Sequence, residues 1–171
     1  QAVSLLTGVV LARGLGVEAR GGLTQYVIFL ATMSLVASNG TGEYVALATQ
    51  RCDDSLSFSG LSRGLAFFMP QALVIVGFAV GYVATDRSPL TGLCVGIFGL
   101  LNLTSTVAIG VLLGRRKLYL LAIVRIVSVS ALLVASGLLI ALNSLTFSHA
   151  VVIYPGAELV TAALAVVLSG L

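Results

Sequence analysis

Glu43, Arg125 and Glu158 each fall inside a long apolar stretch of this 171-residue chain. A charged side chain in hydrocarbon costs about 2.5–3.5 kcal/mol or more unless it is paired or hydrated, so each marks a candidate ion or substrate contact. A carboxylate accepts hydrogen bonds and can take up a proton, whereas an arginine fork holds an anion bidentately. Asn39 and Thr41 belong to the same chemistry. With Gly40, Gly42 and Glu43 they interrupt the apolar run in "SLVASNGTGEYVALATQ" with a turn-like, hydrogen-bonding cluster. Arg13 and Arg20 stand beside the first two apolar segments, as a basic rim or as interfacial anchors.

Each of these residues admits two readings. If residues 39–43 form a loop, the remnant Tyr44–Thr49 is too short to cross a membrane. A locally broken helix fits the lengths better, turning Glu43 toward the bundle interior and a polar cavity, where irregular backbone is tolerated. Glu158 lies eight residues into the last apolar segment, roughly 12 Å along a helix. It follows Pro155 and Gly156, where a freed carbonyl predicts a kink. The alternative is a helix that starts near Pro155, leaving Glu158 at the interface. Arg125 lies about two turns past "GRRK" and either snorkels to the headgroups or faces the cavity as an anion ligand.

The elements that position these residues are helices in a membrane. The chain is 58% hydrophobic and 9% charged, with mean hydropathy +1.13, against about 25% charged in soluble domains. Gly21–Gly42, Gly64–Thr85, Ser88–Gly114 and Ile126–Ala157 contain no Asp, Glu, Lys or Arg, and roughly 20 apolar residues suffice to span. Barrel strands would alternate; these runs are apolar all round. The fold class expected is an all-α integral membrane protein, an up-and-down bundle of about six helices over residues 2–15, 23–49, 64–85, 90–113, 118–142 and 150–171. Gln1 and Leu171 both stand in apolar segments, which points to a fragment of a longer protein. The first segment lacks the basic flank of a signal peptide.

Arg51, Arg63, Arg115, Arg116 and Lys117 on one side, against Arg13, Arg20 and Arg87 on the other, place the "GRRK" loop in the cytoplasm by the positive-inside rule. Glycine pairs four apart, Gly60/Gly64, Gly77/Gly81, Gly92/Gly96 and Gly110/Gly114, predict close helix packing. Two cysteines and one histidine support neither a disulfide nor a metal site, and no cofactor is implied. No nucleophile elbow, P-loop or zinc-protease motif appears, so no enzyme is expected. The sequons at Asn39 and Asn102 sit within spans and are set aside.

The segment "VVLARGLGVEARGGLTQYVIFLATMSLVASNGTGEYVALA" resembles the opening helices of bacterial polysaccharide flippases, in the multidrug/oligosaccharidyl-lipid/polysaccharide exporter superfamily. Ala12-Arg13, Leu15-Gly16, Glu18 and Arg20-Gly21 match its first element; Gly40, Gly42 and Ala46-Leu47 match its second. "GRRKLYLLAIVRIVSVSALLVASGLLIALNSLT" is similar to its fourth loop and fifth helix. The family often carries Pro or a second hydrophobic residue where Thr41 and Glu43 stand, so the match assigns Glu43 no role.

The resemblance implies two six-helix lobes around a central cavity, this chain being the N-terminal lobe, in the multi-pass setting of a bacterial inner membrane. The implied substrate is a polyprenyl-diphosphate oligosaccharide for polysaccharide or lipopolysaccharide biosynthesis. Arg13, Arg20 and Arg125 are then candidates for the diphosphate, and Asn39, Thr41, Glu43 and Glu158 for the sugars. Partners would be membrane lipids, the second lobe, and glycosyltransferases or a polymerase of the same pathway, with no nucleic acid. Two alternatives are a cation-coupled multidrug exporter of the same superfamily and a non-transporting membrane scaffold.

Overall fold

The computed structural model describes residues 17–51, 58–86, 88–141 and 146–170, with side chains for 20–50, 68–84, 88–141 and 146–170. These residues are all-helical: α1 (Val17–Ala37), α2 (Thr41–Arg51), α3 (Phe58–Asp86), α4 (Pro89–Gly114), α5 (Leu118–Ala141) and α6 (Phe147–Ser169). Among the described residues, four candidate spans are long and apolar enough to cross a membrane: Arg20–Gln50, Pro89–Gly114, Leu118–Ala141 and Phe147–Ser169. The expected segment 64–85 falls within the 29-residue α3, whose described stretch Phe68–Ala84 is apolar. The expected segment 2–15, with Arg13, lies outside the described residues. The described residues thus form an all-helical structure with four candidate membrane spans, and they do not test the count of about six.

α4 is the central post and packs against every other described helix. Glycines set the closest approaches. Cβ atoms built at Gly110 and Gly114 would come within 2.8 Å of the Gly42 carbonyl and 2.7 Å of the Ala46 carbonyl, so α2 lies backbone to backbone on the lower part of α4. Gly92, Gly96 and Gly99 similarly receive Val83, Ala79 and Ile75 of α3. Gly77 and Gly81 have nothing within 4 Å of a built Cβ, so this expected packing pair sets no close backbone approach.

α1 and α2 together make one crossing, parallel to α4. Met33 lies beside Gly99, and further on Gly42 lies beside Gly110. The interruption is a three-residue turn, Ser38–Gly40. Gly40 adopts φ 74°, the left-handed region that costs glycine little. The Thr41 N–H reaches the Ser38 carbonyl, and the Tyr44 N–H reaches Gly40 to restart the helix. The broken-helix reading holds.

The turn after α4 is a Schellman motif. Lys117 N–H bonds the Leu112 carbonyl, Arg116 N–H bonds Leu113, and Arg116 takes φ 56°. The Arg115 guanidinium donates to the Ser169 carbonyl, capping the end of α6 with positive charge. This contact brings the lower ends of α4 and α6 together and fixes the two helices as parallel.

α6 runs through Pro155 without ending. Proline has no N–H, so the Val151 carbonyl one turn earlier loses its helical donor. The hydroxyl of Tyr26, fully buried on α1, approaches that carbonyl at 3.3 Å. Tyr26 is wedged edge-on between Tyr82 and Tyr154, at centroid distances of 6.0 and 6.1 Å. Tyr26→Phe should therefore destabilise the fold by about 1–2 kcal/mol. In Pro155→Ala, where the backbone donor returns, the same substitution should cost little; a double-mutant cycle on thermal unfolding checks this. Equal losses in both backgrounds would show that the hydroxyl does not stand in for the missing donor.

Candidate functional site at the middle of the bundle

Helix α6 begins at Phe147, so Glu158 stands eleven residues from either end of it (158 − 147 and 169 − 158). That is roughly 16 Å of helix on each side, so Glu158 stands at the midpoint of a candidate span. The helix begins at Phe147 and not near Pro155, as the interfacial alternative required.

The parallel register of α4 and α6 brings two polar residues of α4 to this carboxylate. The Ser105 hydroxyl lies 2.6 Å from Glu158 Oε1, and the Asn102 side-chain amide lies 3.5 Å from the same oxygen. Ser105 is buried, with its oxygen also 2.9 Å from the Asn102 carbonyl; its one proton serves either acceptor. One turn further along α6, Thr161 meets Ser128 of α5 at 2.7 Å. Among the described residues, the partners recorded for Glu158 are a hydroxyl and an amide, with no basic group.

A cavity of about 220 Å³ opens beside this cluster. Glu158 and Ser128 supply its polar wall, while Phe98, Tyr154, Val129 and Leu132 supply the apolar one. The carboxylate can accept from hydroxyls, hold a proton or attract a cation; the aromatic faces suit a sugar ring or an organic cation. The described residues contain no group of three or more His, Cys, Asp or Glu able to hold a metal.

The other expected site residues are dispersed. Thr41 is fully buried and accepts from the Gln71 amide at 3.1 Å, which makes it a tie between α2 and α3. Asn39 is exposed in the turn. Glu43 does not face the bundle interior: it is exposed in the first turn of α2, where a carboxylate complements the helix dipole. The physical reason is rotation. Two residues turn a helix by about 200°, so an inward Thr41 sends Glu43 outward.

Arg20 and Arg125 are both exposed and lie in different halves of the bundle. Arg20 is at the end where Phe147 packs on Gly22, whereas Arg125 is seven residues into α5 from the opposite end. Within this bundle they do not converge on one anion. Arg13 lies outside the described residues.

Sequence reasoning missed Asn102, Ser105, Ser128 and Thr161. A signal for the first two was present: three hydroxyl or amide side chains within Asn102–Ser105 interrupt an otherwise apolar span. Compared with protein-family models, curated proteins and solved structures, the chain matches none of them.

Proposed function

We propose that this chain is one lobe of a transporter that moves polyprenyl-diphosphate-linked oligosaccharide across the bacterial inner membrane, from the cytoplasmic to the outer face. The observation that carries transport is Glu158, held at mid-bundle by Ser105 and Asn102 on the wall of a cavity. A lone carboxylate at that depth is a functional-site signature in membrane proteins. The broken α1–α2 crossing adds support, because discontinuous helices line transporter sites. The substrate class rests on the flippase resemblance.

The helix directions put Arg51, Arg63, Arg115, Arg116 and Lys117 at or toward one end of the bundle, which the positive-inside rule assigns to the cytoplasm. In this reading the sugars meet Glu158 and its donors, and the diphosphate meets Arg20 and Arg125 at different depths. A second helical lobe completes the pathway, glycosyltransferases or a polymerase act on either side of it, and membrane potential or an ion gradient draws net movement. A cation-coupled drug exporter is the second reading, favoured by the pairing of one carboxylate with the Phe98 and Tyr154 rings.

The test is Glu158→Gln in the full-length protein, in cells whose surface polysaccharide depends on it. Surface polysaccharide should fall at least about tenfold, equivalent to about 1.4 kcal/mol, with protein abundance unchanged. Unaltered polysaccharide together with altered sensitivity to cationic drugs would transfer the assignment to the second reading. No change in either would remove Glu158 from transport.

A further inference from the structure

The weak points of the described crossings lie at one level. Taking α4 as a ruler, Met33 and Ile75 mark the level of Gly99, and Gly42 marks that of Gly110. Between these marks the α1–α2 crossing breaks at Ser38–Gly40. In α3, antiparallel to α4, Pro70 lies inside the helix, where it removes one backbone donor, beside Gln71, which reaches Thr41. In α6, Pro155 and Gly156 lie three and two residues before Glu158, which is at the level of Ser105. α4 itself carries Thr104, Ser105 and Thr106 there, hydroxyls bonded back to the Leu100 and Asn102 carbonyls, a pattern that bends helices.

The apolar packing divides at the same level. One buried cluster joins Tyr26, Met33, Ile75, Val95 and Val151; another joins Ala108, Leu112, Val124 and Ala165. The layer between them is polar: Thr41, Gln71, Asn102, Ser105 and Glu158. α5 carries no breaker in this layer and buries only Val124 and Ser136, so little packing ties it to one half.

We propose that this layer is a hinge plane within the bundle: the two packed halves tilt against each other there, and the Glu158 cavity changes width as they do. The cavity wall crosses the joint, with Tyr154 before Pro155 and Glu158 after it. The Tyr26–Val151 contact lies within one half, beside the joint, and leaves the joint itself untied. This inference concerns the fold and stands whatever the substrate.

The test places spin labels in lipid nanodiscs, on a chain carrying Cys52→Ser and Cys94→Ala. The pair Val80→Cys with Val167→Cys spans the plane. Val80→Cys with Val152→Cys, and Leu47→Cys with Val167→Cys, each stay within one half; all four positions are solvent-accessible. Val167 is twelve residues beyond Pro155, so a bend of about 20° moves it by roughly 6 Å. The cross-plane distances should spread over that range while both within-half pairs stay narrow. Pro70→Ala with Pro155→Ala should narrow the cross-plane distribution. A native cross-plane distribution as narrow as the within-half ones overturns the hinge, and that comparison needs no proline variant. A spread unchanged by the two alanines would equally overturn the assignment of the joints.

Discussion

Gly110→Ala and Gly114→Ala should each destabilise the protein by about 1–3 kcal/mol, and together abolish the α2–α4 contact. In an unconstrained helix, alanine is better than glycine by about 1 kcal/mol. Here the added methyl groups would fall 2.8 Å from the Gly42 carbonyl and 2.7 Å from the Ala46 carbonyl. A carbonyl on a helix cannot rotate aside as a side chain can, so the helices must separate. Gly77→Ala is the internal control: nothing lies within 4 Å of its built Cβ, and the propensity gain should appear undiminished. Thermal unfolding in nanodiscs separates the outcomes, with Gly77→Ala neutral or higher in melting temperature and the other two lower. Equal behaviour of all three would mean that α2 does not pack on α4 as described.

Glu158→Met should raise stability by about 1–3 kcal/mol while ending transport. Glu158 is half-buried, and replacing such a partly desolvated charge with an apolar residue of similar volume removes a desolvation cost and is often stabilising. The partners lose little. The Ser105 hydroxyl keeps the Asn102 carbonyl at 2.9 Å, and the Asn102 contact to Glu158 is already long at 3.5 Å. A membrane scaffold in which Glu158 ties α4 to α6 makes the opposite forecast, a fall in melting temperature. A site retained for function at the expense of stability gives the rise. The sign of the shift decides, without knowledge of the substrate.

These contrasts show where the sequence is informative. The apolar runs are long enough that α4, α5 and α6 are legible within a few residues. The break at Ser38–Gly40 follows from span length combined with a Gly-flanked polar cluster. Facing is harder, because it depends on helix rotation and register. Gly77/Gly81 and Gly110/Gly114 have the same spacing, yet a Cβ built on the second pair meets the α2 backbone and one built on the first has open space within 4 Å. Glu43 is outside for the same reason: Gly42, Val45, Ala46 and Thr49 form the stripe on α4, and Glu43 is not on it. The partners of Glu158 could not be inferred from spacing along the chain. They come from a helix more than fifty residues earlier, placed alongside by the Arg115 cap and the intervening antiparallel α5.

The parallel pairing of α4 with α6 also sets an order of assembly. During synthesis α4 enters the bilayer first, with Asn102 and Ser105 facing lipid or water. Glu158 follows later, on a segment whose central carboxylate opposes insertion by about 2.5–3.5 kcal/mol. Neither helix can find the other until α5 has turned the chain back and α6 has crossed in the same direction as α4. The Arg115–Ser169 contact closes last, since Ser169 is at the far end of α6. The polar middle of the bundle is therefore completed only when α6 lies beside α4; until then the Ser105 hydroxyl is held by the Asn102 carbonyl of its own helix.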